Sequence, residues 1–265
     1  MLTRQTEDTI DCVTESASII DDMIKMIDDQ FYGKILPAFG AQSAAKRLVQ
    51  RSASDTAGTG NSGQFAKGLQ NDPNKQYSLY WLSLMTALSN EIYDMCTKLK
   101  TDFEATSAPT EEDPEPNTNL AKLQAGDSEA FDRYTDAFTT GTPARRADNT
   151  VFGANTGGAN GLYEMLNSSS ITSPQNGNPI GIVEQVKTVQ TAVAIAVNIV
   201  KQSDVDLAAL ILKYVGSLNI QVNQLKDKAD CVNEAKGNVR RERGKILAAL
   251  NEAILNDKTP SSATL

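Results

Sequence analysis

A chain of 265 residues that is 40% hydrophobic and 22% charged has enough apolar material for one sizeable core. Its formal charge of −8 and pI near 4.7 oppose non-specific binding to nucleic acid or anionic membrane, because a phosphate surface repels an acidic one. Histidine is absent altogether. That removes Ser-His-Asp and Cys-His nucleophile pairs, histidine-ligated zinc and the Glu-x-x-His di-iron pattern, so the expectation is a non-enzymatic protein with no cofactor and no metal.

The first helix is predicted from about Thr6 to Leu36. Ile10, Val13, Ala17, Ile20, Ile24, Ile27, Phe31 and Ile35 recur at steps of three and four along it, which places them on one stripe. Asp21-Asp22 and Asp28-Asp29 fall on another face and read as a solvated acidic surface, since carboxylates on a straight helix cannot wrap an ion. Pro37 is expected to stop the helix. The Ser/Gly/Thr-rich stretch from Ser52 to Gly63 reads as a loop. Gly58-Thr59-Gly60-Asn61-Ser62-Gly63 fits the letters of a dinucleotide fingerprint but lacks the preceding strand and the following acid that such a site needs.

A second helix is predicted from about Gln76 to Phe103. Tyr77, Trp81, Leu84, Leu88, Ile92, Met95, Leu99 and Phe103 form its stripe, and Tyr80, Leu82, Met85 and Cys96 widen it. An arc that broad requires burial from more than one side, which puts this helix at the centre. The acidic, proline-punctuated stretch 105–119 reads as an extended linker or exposed loop. A modest helix near Asp127 would align Phe131, Tyr134 and Phe138. From Thr139 to Gly181 the chain is rich in Gly, Asn, Thr and Ser, with one helical turn expected at Gly161 to Leu166.

Ile182, Val186, Val189, Val193, Val197 and Val200 resume the helical spacing. Ser203 with Asp206 has the form of an N-cap, so a break is expected near Lys201-Gln202. The final helix, about Asp204 to Leu255, would span ~75 Å if continuous. Gly216, Gly237 and Gly244 are weak points within it, each costing about 1 kcal/mol against alanine. The tail is expected to fray. No apolar run reaches the roughly 18 residues of a membrane span, and the N-terminus lacks the order of a signal peptide. Cys12, Cys96 and Cys231 lie far apart with no C-x-x-C spacing and read as reduced, partly buried thiols.

These elements predict an all-α fold: a bundle of three to five long helices with a Gly/Asn/Ser/Thr-rich irregular insertion. Residues 1–104 form an N-terminal helical segment, 105–180 the linker and insertion, 181–256 a C-terminal long-helix segment packing with 1–104, and 257–265 a flexible tail. The expected function is structural: long amphipathic helices that pack against copies of the chain or a fixed partner, as in a virion component or filament-type subunit. In layout alone the plan resembles flagellin-type subunits, whose terminal helices pair while the middle varies, although neither end carries a flagellin motif. The alternative is a monomeric helical adaptor or leaderless secreted effector. Partner contact is assigned to the apolar stripe Leu207, Ile211, Leu218, Val222 and Leu225 and to the basic cluster Lys236, Arg240, Arg241, Arg243 and Lys245. That cluster reads first as a solvated helix face making local ion pairs. Nucleic-acid binding and membrane insertion are not expected, and the chain would be cytoplasmic, held in a particle, or exported without a leader.

Overall fold

The structure, a computed structural model, describes residues 2–38, 73–106, 117–139, 161–167, 181–201 and 204–257, with backbone only at 2–5, 73–80, 240, 243 and 253–257. Seven helices make up nearly all of it. In chain order they are α1 (Leu2–Met26), α2 (Pro73–Glu104), α3 (Asn119–Gln124), α4 (Ser128–Phe138), α5 (Leu162–Asn167), α6 (Ile182–Val200) and α7 (Val205–Asp257). Among the described residues there is no strand, only an isolated antiparallel bridge between Thr106 and Thr118. The all-α expectation holds.

α1 does not end at Met26. It continues as a π-helical stretch, Ile27–Ile35, and a last α-helical turn, Leu36–Ala38. The wider winding lets the Leu36 N–H donate to the Phe31 carbonyl, five residues back, and Ile27, Phe31, Ile35 and Leu36 are all fully buried. Pro37 therefore sits inside a helix that reaches Ala38, contrary to expectation. A proline ring ordinarily clashes with the carbonyl four residues earlier, and a π-wound turn moves that carbonyl away.

The four longer helices pack in a cycle: α1 touches α2 and α7, and α6 touches α2 and α7. Directions follow from pairs of residues that meet. Asp21 and Lys100 bond at 2.6 Å, and Tyr93 donates to Asp28 at 3.2 Å, so α2 runs antiparallel to α1. Cys12 joins Cys231 while Phe31 stacks on Tyr214, so α7 also runs antiparallel to α1. α7 begins just after Asp204, whose N–H donates to the Val200 carbonyl of α6 at 2.8 Å and whose carboxylate accepts the Leu207 N–H at 2.8 Å. That aspartate caps α7; the Ser203 expected to do so lies outside the described residues.

Three short helices close the end of the molecule where α1 begins and α2 finishes. The extended linker or exposed loop expected at 105–119 lies outside the described residues at 107–116, and the modest helix expected near Asp127 is α4. The residues that flank 107–116 meet, with the Asn119 N–H donating to the Ala105 carbonyl at 2.9 Å. Asp102 at the end of α2 takes a two-pronged contact from Arg133 of α4. The α3–α4 turn is a Schellman motif. Asp127 N–H donates to Lys122 O and Gly126 N–H to Leu123 O, each at 3.0 Å. Gly126 takes φ +84°, which an L side chain resists. Asp127 then caps α4 by accepting the Ala130 N–H at 2.8 Å. At the start of α5 a Cβ on Gly161 would lie 1.4 Å from the Thr139 carbonyl oxygen, so only glycine lets the two segments meet.

One core runs through all seven helices. It contains Val13, Ile20 and Met23 of α1; Trp81, Met85, Leu88, Ile92, Met95, Leu99 and Phe103 of α2; Tyr134, Phe138, Leu162 and Leu166 of the short helices; and the inner faces of α6 and α7. The wide arc of α2 is accounted for by its position between α1 and α6. Tyr77 and Tyr80 of the expected stripe lie among the residues of backbone-only description.

Candidate interaction surface

α7 is the longest element, 53 residues without a break, or about 80 Å at 1.5 Å per residue. Gly216, Gly237 and Gly244 do not interrupt it. Along its first two thirds the inner stripe is consumed inside the chain: Ile211, Leu218, Val222 and Leu225 are fully buried, as are Tyr214, Ala229 and Val232, while Leu207 is half-buried. Contact of a partner with those four buried residues would require opening the core.

The basic cluster divides. Lys236 reaches back to the body, donating to Asp136 Oδ1 at 2.9 Å and to Thr139 Oγ1 at 2.6 Å, and is only 14% exposed. It ties α7 to α4. Lys245 pairs with Glu242 at 2.9 Å one turn away, and Arg241 donates to Asn238; both are local contacts of a solvated helix face. Arg240 and Arg243 belong to the same helical run, with only their backbone described. On α1 the acids Glu15 and Asp21 are already engaged, bonded to Lys228 and Lys100.

What remains open is the end of α7. Because Cys12 lies beside Cys231 on antiparallel helices, one-for-one spacing brings Leu2 level with about residue 241. Past that point no described helix accompanies α7, and every residue from 244 to 252 is exposed. Ile246 is 49% exposed, Leu247 60% and Leu250 53%. Large apolar side chains clustered within two turns of a projecting helix mark an interaction site more often than scattered ones do. A lesser apolar face lies on the outside of the body, where Val205, Leu212 and Ile220 of α7 and Ile195 of α6 are also exposed. The range Val205–Glu252 contains a stretch apolar enough to cross a membrane by length and composition, with a third of it buried inside the protein. Counting unbroken apolar runs misses that stretch; Asp206 and Lys213 lie in the same range, and the buried third is core.

The interior holds polar groups with narrower roles. Ser89 and Tyr214 share a 2.8 Å hydrogen bond, and Tyr32 donates to Asn90. Glu91, facing Gln185 of α6, has its carboxyl pushed up to about 7 by burial, partly offset by the Gln185 hydrogen bond. Its Oε1 has no hydrogen-bond partner among the described residues. Burial also drives the Cys96 thiol far above its ordinary range, which makes it inert as a nucleophile. Among the described residues no three His, Cys, Asp or Glu side chains come together to hold a metal. The glycine-rich 58–63 run lies outside the described residues.

Cysteine placement corrects the sequence reading. Cys12 and Cys231 form a disulfide across 219 residues of sequence, with Cα atoms 6.5 Å apart, inside the range such bonds require. Only Cys96 matches the expected buried thiol. Sequence spacing carries no signal for the pair. The exposed end had one: a 53-residue amphipathic helix is longer than any other helix the pattern offers to cover it.

No protein-family model matches this chain, and neither a curated protein nor a solved structure does.

Proposed function

We propose that this chain is a non-enzymatic structural subunit, a four-helix bundle of α1, α2, α6 and α7 capped at one end by α3–α5. It assembles through the projecting end of α7. The observation that carries this reading is the apolar cluster Ile246, Leu247 and Leu250, left in water on a helix that outruns the other described helices beside it. An isolated helical arm of this length is marginal in water and gains stability when its apolar face is covered. A body fastened by a disulfide and a continuous core suits a part whose work is shape. Assembly into a particle or filament fits the same surface.

The test is light scattering coupled to size-exclusion chromatography over a concentration series at two salt levels. Defined oligomers that grow with concentration support the subunit reading. A monomer under every condition favours the second reading, a monomeric adaptor. That reading draws support from the burial of Ile211, Leu218, Val222 and Leu225 within the monomer, and from the outer face Val205, Leu212 and Ile220, which spaces as one stripe suited to a partner protein.

A further inference from the structure

Resting on the assembly reading, we infer that the ends of α7 from two copies pair with each other, antiparallel, as a short two-stranded coiled coil. The helical register of 240–257 sets the seam. From Leu247, steps of three and four reach Leu250, Ile254 and Asp257 in one direction and Arg243 and Arg240 in the other. These are successive a and d positions. Ile246 flanks the seam beside Leu247, at a g position. The apolar layers therefore occupy the middle, two arginines stand at the end nearest the body, and an aspartate stands at the far end.

Direction follows from charge. In a parallel pair every seam position meets its own copy, so Arg240 would face Arg240, Arg243 would face Arg243, and Asp257 would face Asp257. Like charges directly opposed are unfavourable in a paired seam. In an antiparallel pair a meets d. Leu247 then faces Leu250 of the other copy, Arg243 faces Ile254, and Arg240 faces Asp257. Both outer layers then bring opposite charges to the same level of the seam. The same register pairs 18 residues of each copy, 240 through 257. It begins where the described α1 stops covering α7, so the seam takes over from the intramolecular contact without overlap. The overlap is short, about 27 Å or roughly five turns, so the dimer should be concentration-dependent.

The experiment uses the full chain and reads dimerisation by sedimentation equilibrium, with circular dichroism to verify that each variant is folded. Arg240→Glu sets glutamate against Asp257 in both outer layers, and Asp257→Lys sets lysine against Arg240; each should weaken dimerisation about tenfold. The double variant Arg240→Glu with Asp257→Lys restores opposite charges in both layers and should return to within about twofold of the parent. A parallel pair predicts otherwise, because single swaps only exchange one like-charge layer for another; unchanged single variants overturn the antiparallel inference. Leu247→Glu with Leu250→Glu should abolish the dimer. A parent that still dimerises with those two changes overturns the seam while leaving assembly intact. A parent that never dimerises overturns assembly itself, and this inference with it.

Discussion

Two parts of one helix make the instructive comparison. From Leu207 to Ala235 and again from Ile246 to Leu250, α7 carries large apolar residues at helical spacing. The first run is buried against α1 and α6; the second stands in water. Their periodicity is alike, and what differs is whether another described element is long enough to reach them. An amphipathic stripe reports that a helix has something to bury, and leaves the supplier of the other surface open.

Predictions that break or sharpen this comparison run from large to small. Leu218→Ala, in the fully buried run, should cost about 2–5 kcal/mol, through lost transfer energy and the cavity left behind. Chemical denaturation reads it, and a loss below 1 kcal/mol would contradict the burial of that face. Removing the Cys12–Cys231 bond by Ser substitution at both positions should destabilise by about 2–4 kcal/mol, since it closes a loop nearly as long as the chain. Mass spectrometry of the alkylated, unreduced protein should show one free thiol, at Cys96; three would rule the bond out.

Glu91 offers a pH test inside the body. Its folded carboxyl sits near 7 against 4.5 for the free group, so folding favours the protonated form. The stability this contributes is full below about pH 4.5 and is lost as pH rises through 7. Glu91→Gln should flatten that slope and raise stability at pH 8 by about 1–3 kcal/mol. Equal slopes in parent and variant between pH 4.5 and 8 would contradict it. The smallest effect belongs to the free end. Leu247→Ala at concentrations low enough for monomer should change stability by less than about 0.5 kcal/mol, against several for Leu218. A large loss there would mean that the end of α7 is covered within its own chain.

Much of the fold was legible. The bounds of α2 fall within three residues of the pattern at the start and one at the end, and α4, α6 and α7 lie where their spacing placed them, because each carries a long or well-capped amphipathic run. Less legible were features that depend on distant residues. The π-winding that carries Pro37 within a helix depends on how Phe31 and Leu36 enter the core. The helix Asn119–Gln124 is too short for periodicity to reveal, and its Thr118 cap and Gly126 turn mean little in sequence until seen together. Lys236 read as part of a basic patch, yet a carboxylate and a hydroxyl 100 and 97 residues away claim it.

The sequence by itself determined where helices run and which face of each is apolar, because backbone hydrogen bonding within a helix is local and its period is fixed by geometry. Tertiary structure alone decided which faces are satisfied inside the chain, which cysteines meet, and which carboxyl loses its water. Those outcomes depend on relative helix length, direction and approach between segments more than 200 residues apart, such as the 219 that separate the bonded cysteines, and no periodicity within a single helix records them.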